Sequence, residues 1–250
     1  MLTALLFAAQ QRFASDAIDF PDLPAGSRGL PRLTGEPCLG ETCGRCASNC
    51  PTGAIAISEA EGAPSVTIDR GLCVTCGACM EACLTGTIVP ELSTRTAVRD
   101  RQQLVMRQGE EPLPEPGPRW RFGCSIDVRE VSTGCNASDL EVAATTNPVF
   151  DCSRFGIRFV ASPRFADVLL VTGPVGKAMH EPLVRTYEAM TEPKLVVAVG
   201  TCAISGGLHR GGYAEANGVP PHLPVAAYVP GCPPHPWSII HGILLSRLVF

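Results

Sequence analysis

Two runs of closely spaced cysteines are the residues of this chain with the clearest capacity for chemistry. The first reads CGRCASNCPTGAI over residues 43–55, and the second reads CGACMEACLTGTI over residues 76–88. When the runs are superposed with a shift of 33 residues, seven of thirteen positions coincide, including every cysteine. Cysteine thiolates at i, i+3 and i+6, with a fourth nearby, can wrap a cubane of iron and sulfide. Structural zinc sites use two well-separated CxxC pairs, so this spacing argues against zinc.

The doubled run resembles the motif of two-cluster bacterial ferredoxins, in which the fourth cysteine of each run serves the other cluster. The resemblance implies two 4Fe–4S clusters, one held by Cys38, Cys43, Cys46 and Cys83 and the other by Cys50, Cys73, Cys76 and Cys79. The first run departs from the pattern, because Gly40 stands three residues before Cys43 and the nearest earlier cysteine is Cys38. Cys38 is therefore interpreted as a ligand on a slightly longer loop, with a free thiol as the alternative.

Composition narrows the class of protein. The chain has 250 residues, of which 45% are hydrophobic, with thirteen cysteines and a formal net charge of −4. This charge gives no reason to expect nucleic acid as a partner. The start, MLTALLFAAQQRF, has no basic residue before its apolar run and no cleavage pattern, and no stretch approaches the roughly 20 apolar residues of a membrane span. These observations predict a cytoplasmic protein with one large or two small domains.

Segments rich in proline and glycine divide the chain into four predicted parts. Residues 1–33 are expected to form a short docking helix over residues 2–13, followed by an extended segment. Residues 34–95 form the ferredoxin-like unit, with a hairpin inserted between its two halves. Residues 96–120 are a predicted linker that includes the run EEPLPEPGP. Residues 121–250 form the last domain.

The last domain alternates strand and helix patterns. Five segments have the apolar content of strands: 126–131, 157–160, 168–171, 195–199 and 225–229. The last three are continuous apolar runs, which suit parallel strands buried on both faces. Helices are predicted over 181–190 and 234–248, the second with Pro234 in its first turn. The predicted fold class is therefore an α+β ferredoxin-like domain followed by a doubly wound, flavodoxin-like α/β domain. Ligands of such sheets lie beyond the carboxyl ends of the strands, where Cys202 and Cys232 fall.

Four stretches of the last domain resemble the small subunit of membrane-bound, energy-converting nickel–iron hydrogenases, including formate hydrogenlyase. That subunit is homologous to the quinone-proximal cluster subunit of respiratory complex I, its 20 kDa cluster subunit. The stretches are REVSTGCNASDLE (129–141), RFGIRFVASPRFADVLLVTGPV (154–175), PKLVVAVGTCAISGG (193–207) and VPGCPPHP (229–236). The N-terminal part, including the elements FPDLP and RGLP, resembles the two-cluster ferredoxin subunit of the same complexes. The resemblance implies that two neighbouring electron-transfer subunits are fused in this chain.

The resemblance also implies a third cluster, next to a large catalytic subunit. The group holds it with a CNxC pair and with one cysteine after each of two later strands. Cys135, Cys202 and Cys232 fill three of these places, and the fourth falls on Ser138. A 4Fe–4S cluster, a 3Fe–4S or altered cluster, and an empty site are therefore all open. Ser138 and Glu141 also form S-x-x-E ahead of a predicted helix, so Ser138 is a helix cap, an iron ligand or both.

Two further cysteines and four other residues complete the candidate set. Cys124 and Cys152 are either small buried hydrophobic residues or replacements for the missing fourth ligand. The other residues implied beside the cluster are Asp139, Glu141, Gly206 and Gly207. The two acids tune the potential or move protons, or they are first-turn acids of a helix. The two glycines let the backbone pass close to the cluster. The five histidines show no ligand spacing and are interpreted as surface or packing residues.

The resemblance implies an electron-transfer subunit peripheral to the inner face of the cell membrane. Its expected partners are a hydrogenase- or complex I-type large subunit, membrane-embedded subunits of the same complex, and an electron donor or acceptor protein. Substrate chemistry would belong to the large subunit. Two alternatives stay open because of Ser138. One is a related respiratory complex without nickel–iron chemistry, and the other is a scaffold whose third cluster is degenerate.

Overall fold

The first half of the chain folds around two small antiparallel sheets. The computed structural model describes residues 20–60, 63–110 and 125–247, so the predicted helix over residues 2–13 lies outside the described residues. The strands are β1 (Leu30–Leu33), β2 (Ile55–Ala60), β3 (Ala63–Asp69), β4 (Ile88–Glu91) and β5 (Val105–Arg107). Two short helices, α1 (Arg45–Ser48) and α2 (Ala78–Ala82), each carry the middle of one cysteine run. One sheet pairs β1 with β4, and the other has the order β2-β3-β5.

The hairpin predicted between the cysteine runs is confirmed, and its sheet extends into the predicted linker. Ile55 lies opposite Ile68 in the register of β2 and β3. Strand β5 then pairs with β3, so residues 105–107 belong to the ferredoxin-like sheet. Val98, also in the predicted linker, pairs with Tyr228 of the second half. The segment over 96–107 is therefore held to both halves by backbone hydrogen bonds and is not a free connection between them.

The second half contains one parallel sheet of five strands. They are β6 (Ile126–Ser132), β7 (Ile157–Phe159), β8 (Val168–Thr172), β9 (Leu195–Val199) and β10 (Val225–Val229). The spatial order is β10-β9-β8-β6-β7, and every neighbouring pair is parallel. Numbered from β6, this is the 2-1-3-4-5 order of flavodoxin-like sheets.

Helices cover both faces of this sheet. They are α3 (Asn136–Ala144), α4 (Lys177–Glu188), α5 (Thr201–Ser205) and α6 (Pro236–Ser246). Successive side chains of a strand point to opposite faces. Leu170 packs with Val142 of α3 and with the apolar residues of α6. Its neighbour Leu169 packs on the other face with Leu183 of α4. The predicted doubly wound class is confirmed.

Helix α6 starts two residues later than predicted. Its N-cap is His235, whose Nδ1 accepts a hydrogen bond from the Trp237 backbone N–H at 3.3 Å. Pro236 occupies the first helical position, where the absent N–H is harmless, so the placement of Pro234 in the first turn was wrong. Every residue of α6 is buried. Helix α6 is therefore enclosed by the rest of the fold.

His241 of α6 gives the fold a predictable response to acid. Burial, and next the charge of Arg95, lower the pKa of His241 to about 4. The unfolded chain binds the proton near pH 6.5, so stability present above pH 6.5 should be lost as the pH falls to 4. The loss should reach about 3 kcal/mol. Unfolding of His241→Gln measured across this range should show a flatter pH dependence than wild type, whereas the exposed control His209→Gln should not. Parallel curves for wild type and His241→Gln would contradict this assignment.

Candidate metal centres

The eight cysteines of the ferredoxin-like unit surround two separate cavities. Cys38, Cys43, Cys46 and Cys83 line one cavity, and Cys50, Cys73, Cys76 and Cys79 line the other. Each cavity therefore receives three thiols from one run and a single thiol from the other. This is the grouping that the resemblance to two-cluster ferredoxins implies. We call these the distal site and the middle site, respectively, from their position relative to the sheet of the second half.

The environment of these thiols suits a cationic core. Burial, and next the charges of neighbouring cysteines, raise the pKa of Cys73 to about 12 and that of Cys79 to about 11. Burial also raises the pKa of Cys46, with a smaller effect of Cys38 and Cys83. Crowded thiols of this kind ionise when a metal core supplies positive charge. The residues present thus fit a 4Fe–4S cluster in each cavity.

Backbone geometry places the sulfur atoms and donates hydrogen bonds to them. Gly44 and Gly77, which precede α1 and α2, have φ of 53° and 84°, a conformation that favours glycine. The backbone N–H of Ala54 donates to Cys50 Sγ at 3.2 Å. The N–H of Thr75 donates to Cys73 Sγ at 3.4 Å. Hydrogen bonds to cluster sulfur are one of the means by which a protein sets a reduction potential.

Two threonines beside the sites were missed by sequence reasoning. Thr52 Oγ1 lies 3.7 Å from Cys50 Sγ, and Thr85 Oγ1 lies 3.7 Å from Cys83 Sγ. Each threonine follows the fourth cysteine of its run by two residues. The signal was present in the sequence, because this threonine is among the seven positions that the two runs share.

The third candidate site lies at the carboxyl ends of the parallel strands. Cys135 follows β6, Cys202 lies in α5 just after β9, and Cys232 follows β10. A hydrogen bond between the Cys135 and Cys202 side chains lowers the pKa of Cys135 and raises that of Cys202. Burial, and next the charge of Cys135, raise the pKa of Cys232. Cys135 therefore lies near both of the other thiols, and we call the region of these three cysteines the sheet-end site.

Ser138 lies at this site and does not cap a helix. The N-cap of α3 is Cys135, and no side chain makes a cap hydrogen bond there. Ser138 is the third helical residue, is 2% exposed, and has its Oγ 3.3 Å from Cys135 Sγ. The capping box predicted for Ser138 and Glu141 was therefore wrong. The helix starts earlier than the S-x-x-E pattern suggests, because the chain turns into it directly at Cys135.

The two glycines after Cys202 make different close approaches. A Cβ at Gly207 would lie 2.8 Å from Cys202 Sγ, whereas a Cβ at Gly206 would lie 2.9 Å from the Cα of Asn217. Both glycines have positive φ. Gly207 thus leaves room at the thiol itself, and Gly206 leaves room for a neighbouring loop.

Replacing Gly207 with alanine should displace Cys202 and deplete iron at the sheet-end site. An alanine in the left-handed region costs about 1–2 kcal/mol wherever it stands, so Gly211→Ala is the matched control. Gly211 has φ of 78° in the same loop, and a Cβ there would meet nothing within 4 Å. Iron analysis should show a loss of up to about four irons per chain in Gly207→Ala and none in Gly211→Ala. Equal iron content in both variants would contradict the steric argument.

Asp139 and Glu141 have distinct surroundings. Asp139 accepts hydrogen bonds from Ser132 Oγ at 2.6 Å and from Thr172 Oγ1 at 2.5 Å, so its carboxylate joins the ends of β6 and β8. Glu141 lines a cavity that Cys232 also lines, and burial raises the pKa of Glu141. Glu130, missed by sequence reasoning, has its pKa raised to about 7 by burial and next by the charge of Asp139. The position of Glu130 in the alternating pattern of β6 gave no indication in the sequence that its pKa is raised.

Cys152 is removed from all three sites. It is 2% exposed in the apolar cluster that includes Phe155 and Ile157. Burial raises its pKa, and the thiol has the character of a small hydrophobic residue. The alternative in which Cys152 completes the third cluster is therefore set aside, and Cys124 lies outside the described residues.

The middle site and the sheet-end site are joined by side-chain hydrogen bonds. Thr201 Oγ1 donates to the Cys73 carbonyl at 2.6 Å, and Thr75 Oγ1 donates to the Cys232 carbonyl at 3.3 Å. Ser205 Oγ donates to the Gly71 carbonyl at 2.7 Å. Each of these segments carries or adjoins a site cysteine, so the two sites are neighbours across the contact between the halves.

The described residues contain neither a compact cluster of ligands for a single metal ion nor a helix that could cross a membrane. Across residues 20–60, 63–110 and 125–247, no three His, Cys, Asp or Glu side chains converge closely enough to hold a single metal ion. No helix in the same ranges combines the length and apolar character needed to cross a membrane.

Both halves match known families. Residues 135–245 match the family described as NADH ubiquinone oxidoreductase, 20 kDa subunit, and residues 38–87 match the 4Fe–4S dicluster domain. Formate hydrogenlyase subunit 7 of Escherichia coli is 42% identical over 113 residues, which are 45% of this chain and 44% of that protein. The chain thus spans less than half the length of that relative.

Further relatives are matched over most of their length. Probable membrane-bound hydrogenase subunit mbhJ of Pyrococcus furiosus is 41% identical over 50% of this chain and 75% of that protein. An NADH-quinone oxidoreductase subunit of Carboxydothermus hydrogenoformans is 42% identical over the same shares. A chain in the solved structure of the membrane-bound sulfane sulfur reductase, an archaeal respiratory membrane complex, matches with a TM-score of 0.46 and 32% identity, over 50% of this chain and 70% of that one.

Proposed function

Because the chain belongs to the family of the NADH ubiquinone oxidoreductase 20 kDa subunit and carries a 4Fe–4S dicluster domain before it, we propose that it relays electrons through three iron–sulfur centres in series. It is an iron–sulfur electron-transfer subunit of a hydrogenase- or complex I-family complex. The proposed order is distal site, middle site, sheet-end site. When bound, each cluster accepts and releases one electron.

The hydrogen bonds between the halves are the single observation that carries this order. Thr201 and Thr75 hold the segments of Cys73 and Cys232 against each other. A fixed, short separation between two centres is what one-electron transfer needs from a protein. Backbone N–H donors at Cys50 and Cys73, together with burial of the thiols, supply the tuning of potentials at the middle site.

We assign the sheet-end site to the side that faces a large catalytic subunit. Leu140 of α3, and Leu208 and Tyr213 in the loop after Cys202, are large apolar side chains that are exposed in this chain. Exposed apolar surface beside a site is typical of an interface with another protein. The complex would be attached to the cytoplasmic face of the membrane through other subunits, and substrate chemistry would belong to the large subunit.

We assign the distal site to the electron donor or acceptor protein. Leu39 and Leu84 are exposed and line the cavity of that site. Each directly follows a site cysteine, Cys38 or Cys83. Apolar residues at the mouth of this cavity would let a partner approach closely without a shell of ordered water.

The proximity of Cys135 to both Cys202 and Cys232 argues against the scaffold alternative. A degenerate site would have no reason to keep Cys135, Cys202 and Cys232 together or to keep Gly207 open at Cys202 Sγ. The test is iron analysis with low-temperature EPR on the reduced, anaerobically purified chain. About eleven or twelve irons, with signals from three centres, would support the relay. About eight irons, with signals from the ferredoxin-like unit alone, would overturn it.

A further inference from the structure

The fourth corner of the sheet-end site has a polar atom that the relay leaves unassigned. Ser138 follows Cys135 by three residues on α3, so the two side chains share one face of the helix. Cys135 Sγ donates to Ser138 Oγ at 3.3 Å, and Ser138 is buried. A hydroxyl oxygen with a free lone pair is therefore held beside the Cys135 thiol.

The orientation of Ser138 differs from that of three other hydroxyls on helices of this chain. Thr186, Ser205 and Ser246 each donate to a backbone carbonyl three or four residues earlier. This back-bonding is the usual way to satisfy a hydroxyl within a helix. Ser138 makes no such bond within the described residues, where its only hydrogen-bond partner is the Cys135 thiol. Its oxygen is thus directed to the site and away from its own helix.

The absence of a side chain at Gly200 leaves space beside Ser138 Oγ. A Cβ at Gly200 would lie 2.8 Å from Ser138 Oγ, and Gly200 has φ of 86° just before α5. Gly207 leaves the corresponding space at Cys202 Sγ on the other end of the same helix. Two backbone positions without a side chain therefore adjoin two candidate ligand atoms.

We propose that Ser138 Oγ is the fourth protein ligand of the sheet-end centre, which is then a cubane held by three thiolates and one serine oxygen. This rests on the third centre of the proposed function. The serine proton leaves to solvent as the iron–oxygen bond forms, and no electron is transferred. A bound cation favours this step because it strongly acidifies a coordinated hydroxyl, as it does water.

The test compares wild type, Ser138→Ala and Ser138→Cys as full-length chains purified without oxygen. Wild type should contain about twelve irons. Ser138→Ala should lose about one iron and show a three-iron EPR signal after oxidation, or lose the whole centre, since three thiolates remain. Ser138→Cys should restore about twelve irons with an altered EPR spectrum for this centre. Circular dichroism of each variant checks that the fold is retained.

Failure of this inference is distinguishable from failure of the relay. Ser138→Ala with the iron content and EPR spectrum of wild type would overturn serine ligation and leave the relay intact. The same holds for a wild type with about eleven irons and a three-iron signal that Ser138→Ala does not change. Ser138→Ala that loses iron while Ser138→Cys fails to restore it would also overturn ligation. A wild type with about eight irons would overturn both proposals.

Discussion

Replacing Cys73 with alanine is expected to remove about four irons per chain and to stop electron transfer between the two ends of the relay. Cys73 is a partly buried thiol of the middle site, and the proposed order of sites leaves no other route between the outer two. Its backbone carbonyl remains in the variant, so Thr201 keeps its partner and the halves stay in contact. The loss is therefore chemical and local.

Iron content, and the reduction of each centre by an electron donor followed by EPR, measure this effect. The matched control is Cys152→Ala, which removes a buried thiol that adjoins no site. That variant should retain all its iron while its free energy of unfolding falls by about 1 kcal/mol. Unimpaired reduction of the sheet-end centre in Cys73→Ala would contradict the proposed order of the relay.

Replacing Trp237 with alanine should lower the free energy of unfolding by about 3–5 kcal/mol, a large share of the stability of a domain. Its ring centroid lies 5.4 Å from that of Phe150, 5.9 Å from Phe20 and 6.0 Å from Phe155. Phe20 comes from the first half of the chain, so the cluster joins the two halves. Ring pairs of this geometry contribute beyond the area that they bury.

Denaturant unfolding of the purified chain measures this loss. Phe165→Ala is the control, because this aromatic side chain is 69% exposed and its removal should change stability by no more than about 0.5 kcal/mol. Similar stability losses for Trp237→Ala and Phe165→Ala would show that the aromatic cluster does not join the halves as described.

Structural features that depend on repeated motifs or on local sequence patterns could be predicted from the sequence. The apolar runs at 168–171 and 195–199 predicted buried parallel strands, because only strands covered on both faces lack polar alternation. The doubled cysteine runs, by their resemblance to ferredoxins, implied the grouping of thiols that the two cavities have. Because the two runs repeat, the pattern of cysteines in one run supports the interpretation of the other.

Structural features that depend on contacts between residues distant in the chain could not be predicted from the sequence. Strand β5 has three residues, too few for a periodic signal, and it exists because β3 pairs with it. The role of Ser138 was obscured because S-x-x-E suggests a cap, while the backbone at Cys135 starts α3 earlier. Pro234 and Pro236 are equally good first-turn residues by type, and the His235 cap decides between them. The raised pKa of Glu130 depends on burial and on Asp139, which only the folded chain brings close.

Filling one iron site should ease the filling of its neighbour. The reciprocal hydrogen bonds of Thr75 and Thr201 mean that ordering the Cys73 segment also orders the Cys232 segment, and the reverse. Coupled binding equilibria are symmetric, so each site raises the affinity of the other by the same factor. During maturation, a chain whose middle site is loaded should therefore take up iron at the sheet-end site more readily than a chain whose middle site is vacant. The same threonines that fix the distance for electrons would thus make assembly cooperative.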